Sequence, residues 1–178
     1  MPSRRTGIAL IALVLILGFV NWSIAGREKH LSQGRIVYLK LAPVDPRSMM
    51  QGDYMALRFG LANQVRKALP KKKAGRGRRR KVAAADGYLV VSLDERNIGS
   101  FNSIYTDQAL LKMQVLMRYR VRGGEVKFAT NAFFFQEGHG DLYQPARYGQ
   151  FRVDDTGDLL LVALYDENLK KLPPNAKE

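Results

Sequence analysis

The chain has 178 residues, enough for one globular domain plus a targeting segment, and its hydrophobic fraction of 46% can fill a core. It contains no cysteine, which excludes disulfides, thiol catalysis and cysteine-ligated metal sites. A net charge of +13 favours anionic partners, but Lys71, Lys72, Lys73, Arg76, Arg78, Arg79, Arg80 and Lys81 carry eight of those positives, and without them the chain stands near about +5.

Arg4 and Arg5 precede an apolar run over residues 7–20, followed by Asn21, Trp22, Ser23, Ile24 and Ala25. Counted over 6–25, the segment approaches the roughly 20 residues that cross a bilayer. Trp22 suits the headgroup level. The run has no polar face, which argues against a buried core helix. An uncleaved signal anchor over 1–26 is the preferred reading. The competing one is a cleaved signal peptide, with Ser23-Ile24-Ala25 as the small-residue site and the cut after Ala25. Residues 27–34 read as a juxtamembrane linker. Arg4, Arg5 and the terminal amine favour an N-terminus inside, Arg27 and Lys29 weaken that bias, and long domains translocate largely regardless of charge. The expectation is a domain outside the cytoplasm.

Val37, Leu39 and Leu41 alternate with Tyr38 and Lys40, which predicts a half-buried strand. Pro43 and Pro46 stop the pairing, and Asp45-Pro46 favours a turn. In the next segment Gly52 can supply a positive φ and Asp53 can close the turn through backbone amides. Tyr54 opens a second strand with Met55, Leu57 and Phe59 on one face. These are residues any tight turn into a strand would use, so the block reads first as a fold signature. Leu61, Val65, Ala68 and Leu69 are spaced as a short amphipathic helix that ends at Pro70.

The basic run, placed in a loop over 70–82, has nothing to bury, and its like charges repel, so disorder is expected there. Outside the cytoplasm its expected contact is anionic lipid or an envelope polymer rather than nucleic acid, each basic residue adding about 1 kcal/mol at an anionic surface. A solvated insertion without a partner fits equally well.

From Gly87 onward the pattern is β. Residues 88–93 read as one strand, 94–97 as a turn and 99–105 as its partner. Met113, Val115, Met117, Tyr119 and Val121 face in while Gln114, Arg118, Arg120 and Arg122 face out, with Leu116 breaking the polar face. Gly123-Gly124 signals a hairpin into 125–129. An aromatic triplet, Phe133-Phe134-Phe135, leads into Gln136-Glu137-Gly138-His139-Gly140-Asp141. Residues 150–153 and 159–165 form a terminal hairpin around Asp154, Asp155 and Asp158, and 169–178 read as a polar tail. The fold class is therefore mainly β (α+β): one N-terminal transmembrane helix, then an antiparallel β domain of hairpins over 35–168 with one short helix.

Gly52-Asp53-Tyr54-x-x-Leu57-x-Phe59 resembles the signature after which the GDYXXLXY family of bacterial membrane proteins is named. The segment around Glu137 resembles the aromatic, glutamate and glycine stretch that follows the family's central hairpin. The resemblance spans most of the part after the apolar segment. It implies a membrane protein, and hence a single-pass location in the bacterial inner membrane with a polytopic membrane protein as a possible partner. It implies no chemistry. Phe59 stands where the signature ends in tyrosine, so no role for that hydroxyl carries over. The basic run looks like an insertion relative to the family pattern.

Glu137, His139 and Asp141 would share a face on a strand and could then ligate a metal. Gly138 and Gly140 favour a loop, and His30 is far away in sequence, so no metal or other cofactor is expected. Asp154, Asp155 and Asp158 lack the closing glutamate of a calcium loop. Ser48 has no lysine-bearing segment at a suitable spacing for a serine–lysine dyad, and Gly75-Arg76-Gly77 lacks the strand and helix of a phosphate loop. The leading reading is a membrane-anchored accessory or interaction domain of unknown biochemical activity, with Asp45, Gly52, Asp53, Tyr54, Leu57, Phe59 and Glu137 as candidate pocket residues. The alternatives are an envelope hydrolase using the carboxylates near the Gly-Asp-Tyr turn, and a sensor of anionic polymers through the basic run.

Overall fold

The computed structural model describes residues 4–42, 50–51, 54–72 and 81–173. It begins with one long helix, α1 (Arg4–Gln33). Its apolar part is long and apolar enough to cross a membrane, and none of that part is buried against the rest of the chain. Trp22 is 74% exposed. Asn21 Nδ2 donates to Leu17 O at 2.9 Å, so this polar side chain is satisfied within the helix itself. The helix does not stop at the expected linker. It continues through 27–33 and ends where Gly34 N–H donates to His30 O at 3.0 Å.

The strands that follow are β1 (Arg35–Lys40), β2 (Met50–Gln51) and β3 (Tyr54–Ala56), and after them comes helix α2 (Gly60–Ala68). Then come β4 (Lys71–Lys72), β5 (Lys81–Val82), β6 (Ala85–Leu93), β7 (Gly99–Ile104), β8 (Gln114–Arg122), β9 (Glu125–Lys127) and β10 (Ala132–Phe134). A 3-10 turn (Gly140–Tyr143) precedes β11 (Tyr148–Val153), β12 (Leu159–Tyr165) and β13 (Lys171–Leu172). The fold is an apolar N-terminal helix, then mostly antiparallel sheets with one other short helix.

Two four-stranded sheets, in the orders β1-β11-β12-β13 and β7-β6-β8-β9, supply most of the core. The period-2 pattern explains their pairing. Val115, Met117, Tyr119 and Val121 of β8 turn inward, as do Leu89, Val91 and Leu93 of β6, and Val37, Leu39, Phe151, Val153 and Leu164 join them in one cluster. Each large side chain taken fully out of water there contributes about 1.5–3 kcal/mol. Gly99 marks the closest approach. A Cβ on it would lie 2.8 Å from Val91 Cγ1, 3.0 Å from Leu39 Cδ2 and 3.1 Å from Val37 Cγ1. α2 packs on β7, β9 and β1 through Leu61 and Val65.

Three of the hairpins share one device. Asp94, Asp154 and Asp166 each open a five-residue turn. Each Oδ1 accepts from the N–H groups two and four residues on: Arg96 (2.9 Å) and Ile98 (2.7 Å), Thr156 (3.0 Å) and Asp158 (2.9 Å), Asn168 (2.9 Å) and Lys170 (2.8 Å). The fourth residue of each turn has positive φ: Asn97 (60°), Gly157 (81°) and Leu169 (58°). The last of these turns carries the sheet into β13, past the point where the sequence reads as a polar tail, and Leu172 is buried.

One inward assignment needs correction, and one exception on the outer face has a cause. Met113, read as inward, precedes β8 and is 45% exposed. Leu116, which broke the polar face of β8, is half-buried because Gly157 crosses over it: a Cβ on Gly157 would lie 3.3 Å from Leu116 Cγ, and Arg118 N–H donates to Gly157 O at 2.8 Å.

Candidate functional site

The two stretches singled out in the sequence meet as neighbouring strands. β3 and β10 pair antiparallel with Ala56 opposite Ala132, Met55 opposite Phe133 and Tyr54 opposite Phe134. Leu57 N–H prolongs the pairing by donating to Asn131 O at 2.6 Å. β2 lies on the other side of β3, which leaves β10 at the edge.

Alternation divides the signature into two faces. Met55, Leu57 and Phe59 are buried, at 0%, 2% and 4% exposure. Phe59 sits between Phe128 and Phe151, with ring centroids at 6.1 and 5.3 Å in edge-to-face arrangements. Gly149 makes room for it, since a Cβ there would come within 3.2 Å of the Phe59 ring. A phenylalanine therefore suffices at this position, because the site is apolar on every named side. Phe59 also pairs with Leu41 and leads directly into α2.

The other face is aromatic and open. Tyr54 lies 5.8 Å from Phe134, which is 74% exposed. Phe133 and Phe135 point to the opposite side and enclose Tyr143 of the 3-10 turn, at 5.2 and 5.3 Å. Glu137 is exposed, on a turn closed by His139 N–H donating to Gln136 O at 3.0 Å, with Gly138 at φ 78°. Of the candidate pocket residues, Tyr54, Leu57 and Phe59 thus share one strand and Glu137 lies just beyond its neighbour. Asp45, Gly52 and Asp53 lie outside the described residues.

The loop reading of 137–141 holds. Asp141 Oδ1 accepts from Gln144 Nε2 at 2.5 Å. Among the described residues no three histidine, aspartate or glutamate side chains are placed to hold a metal ion. Asp154 turns its Oδ1 to its own hairpin, where Thr156 Oγ1 donates at 2.6 Å. Of the basic run, the backbone of β4 pairs with that of β5, Lys71 opposite Val82 and Lys72 opposite Lys81. Lys73, Arg76, Arg78, Arg79 and Arg80 lie outside the described residues, as does the disorder expected of them.

Charge on the outer face of β8 is answered locally. Arg122 lies 2.8 Å from Asp86 and holds its carboxyl below 3.8, and Arg118 lies 3.3 Å from Asp158. A cleft of about 210 Å³ lined by Arg118, Arg120, Lys127 and Asp158 follows from this ladder of arginines. Such exposed pairs contribute little to stability.

Sequence reasoning missed two groups. A bulge between Gln150 and Phe151 accompanies the burial of Gln150, whose Nε2 donates to Tyr38 Oη while its Oε1 accepts from Tyr165 Oη, both at 3.2 Å. At the end of α1, His30 Nε2 donates to Arg152 O at 2.9 Å and His30 Nδ1 lies 3.6 Å from Asp154 Oδ2. Arg152 Nη1 returns a bond to Gly34 O at 2.9 Å. Burial works to raise the Asp154 carboxyl, but the Thr156 and Asp158 hydrogen bonds and the nearby His30 together hold it below 3.8.

A family model described as GDYXXLXY protein matches residues 16–164. The chain belongs to the GDYXXLXY family. The match runs from within α1 to within β12, so it takes in both motif strands, the whole β7-β6-β8-β9 sheet, and the other four-stranded sheet up to but not including β13. No curated protein and no solved structure matches the chain.

Proposed function

We propose that this GDYXXLXY protein is a single-pass protein of the bacterial inner membrane that holds its β domain outside the cytoplasm as an accessory or interaction module for a polytopic membrane protein. One observation carries the reading: the family's signature strand sends its inward residues into the core and its half-buried Tyr54 to a ring contact with the exposed Phe134 on an edge strand. Large apolar side chains on an edge are costly in water and are a feature of surfaces that recognise by contact. The apolar, unburied α1 supports the anchoring.

The test places a photo-crosslinking amino acid at Phe134 in the full chain in its native membranes. The expected product is an adduct with a multi-span protein that is lost on Tyr54→Ala. No adduct at Phe134, with one formed at Arg118 instead, overturns the assignment of the surface. For orientation, Asn168→Cys in the cysteine-free chain is expected to react in intact cells with a maleimide that does not cross the inner membrane. Protection until that membrane is broken overturns it.

A further inference from the structure

Beside the end of α1 the domain carries a second apolar feature that the core does not use. Leu110, Leu111 and Met113 are 41%, 70% and 45% exposed. The turn that bears them is firmly built. Arg35 donates to Lys112 O at 3.1 Å and to Gln114 O at 3.2 Å. Leu111 N–H donates to Gln114 Oε1 at 3.0 Å, Gln114 N–H to Leu111 O at 2.9 Å, and Leu93 N–H to Met113 O at 2.8 Å. A turn held by five hydrogen bonds that still presents three large apolar side chains to solvent is shaped for an apolar surface.

Its position names that surface. Leu110 lines one cleft of about 440 Å³ with Gly26, Lys29 and His30 of α1. The segment counted as membrane-crossing, residues 6–25, ends at Ala25, so Gly26 is the first residue past it. At about 1.5 Å per helical residue, Gly26 to His30 spans roughly the first 6 Å beyond that segment, which is headgroup depth. Lys29 and Arg35 line the same cleft and Lys112 lies in the turn itself; Asp154 and Asp155 also line the cleft. Apolar tips among lysine and arginine suit an interface with anionic lipid.

We infer that the turn 110–113 is a second membrane contact, with Leu111 and Met113 entering the headgroup region beside the point where α1 leaves the bilayer. This rests on the membrane-spanning reading of α1. The occupant of the surface is lipid, so the contact forms in vesicles that contain no other protein.

The absence of cysteine makes the test direct. Leu111→Cys and Met113→Cys, each in the full chain, are labelled with an environment-sensitive fluorophore. The proteins are reconstituted into vesicles of phosphatidylethanolamine and phosphatidylglycerol containing nitroxide-bearing lipids. Val14→Cys reports the bilayer interior. Asn168→Cys, on the turn beyond the far end of β12, reports the solvent. Quenching at position 111 or 113 several-fold above that at 168 is expected. Quenching at both no greater than at 168, with Val14 quenched, overturns the membrane contact and leaves the spanning helix standing. Loss of quenching at Val14 as well overturns both.

Discussion

Phe134 lies directly across from Tyr54 in the register of β10 and β3, with the two rings 5.8 Å apart. Some 80 residues of sequence separate them, and they come from the two stretches singled out in the sequence. The pair is an exterior counterpart of Phe59, which the same strand delivers to the interior.

That contrast gives the first prediction. Phe59→Ala removes a ring held between Phe128 and Phe151 and should cost about 3–5 kcal/mol. Phe134→Ala removes a ring that is 74% exposed and should cost about 1 kcal/mol or less, the size of a cross-strand pair. Denaturant unfolding of the two variants in detergent separates them. Equal losses would mean that the open face of the motif sheet is a structural one.

Gly99→Ala tests the contact between the two main sheets. The added methyl meets Val91, Leu39 and Val37, all fully buried, so no neighbour can swing into solvent. A loss of about 1–3 kcal/mol is expected from overpacking, read as a lower unfolding midpoint. An unchanged midpoint would show that β7 can move off the core freely.

Leu169→Gly should stabilise the protein. Leu169 is the odd member of three matching turns, since it holds φ 58° with a branched side chain where the others use glycine or asparagine. Left-handed backbone costs an L-residue about 1–2 kcal/mol, and Leu169 is only half-buried, so relief of that cost should exceed the lost packing. A rise in melting temperature checks it, and a fall would show that the side chain anchors the last turn.

Asp154 should contribute to acid sensitivity. Its folded carboxyl is held below its ordinary value of 3.8, so it binds its proton less readily folded than unfolded. The stabilisation is therefore fully present above about 4 and is lost as pH falls below 3.8 through the folded value. Asp154→Asn should flatten that acid limb relative to the parent chain in pH-dependent melts. An unchanged acid limb would remove Asp154 from the account.

The parts of the fold legible in the sequence are those with local periodicity. Alternation from Val115 to Val121, the pair Gly123-Gly124 and the spacing of Leu61 and Val65 each place an element. Phe59 was legible as an inward residue by the same rule. The meeting of β3 and β10 was not, because three-residue strands carry little pattern and their pairing is set by neighbours in the core. The Gln150 cluster was hidden for a related reason: a bulge shifts the register, so no alternation marks the glutamine as enclosed. Composition over 71–81 shows only charge, and backbone pairing at Lys71 and Lys72 leaves no trace in composition. His30 looked isolated because its partners, Arg152 and Asp154, are over a hundred residues away.

A single residue, Gly34, joins the last turn of α1 to β1, and His30, Arg152 and Gly34 are cross-bonded over that joint. A Cβ on Gly34 would lie 2.5 Å from His30 O, so even one methyl would force the joint apart. The connection thus has no slack and behaves as a shaft rather than a tether. Turning or tilting α1 within a bilayer would swing the whole domain by the same angle. The aromatic edge, joined to the far end of β1 through the Leu41–Phe59 bridge, would be carried with it. Whatever grips that edge would be felt as torque on the helix, and whatever packs against the helix would steer the edge.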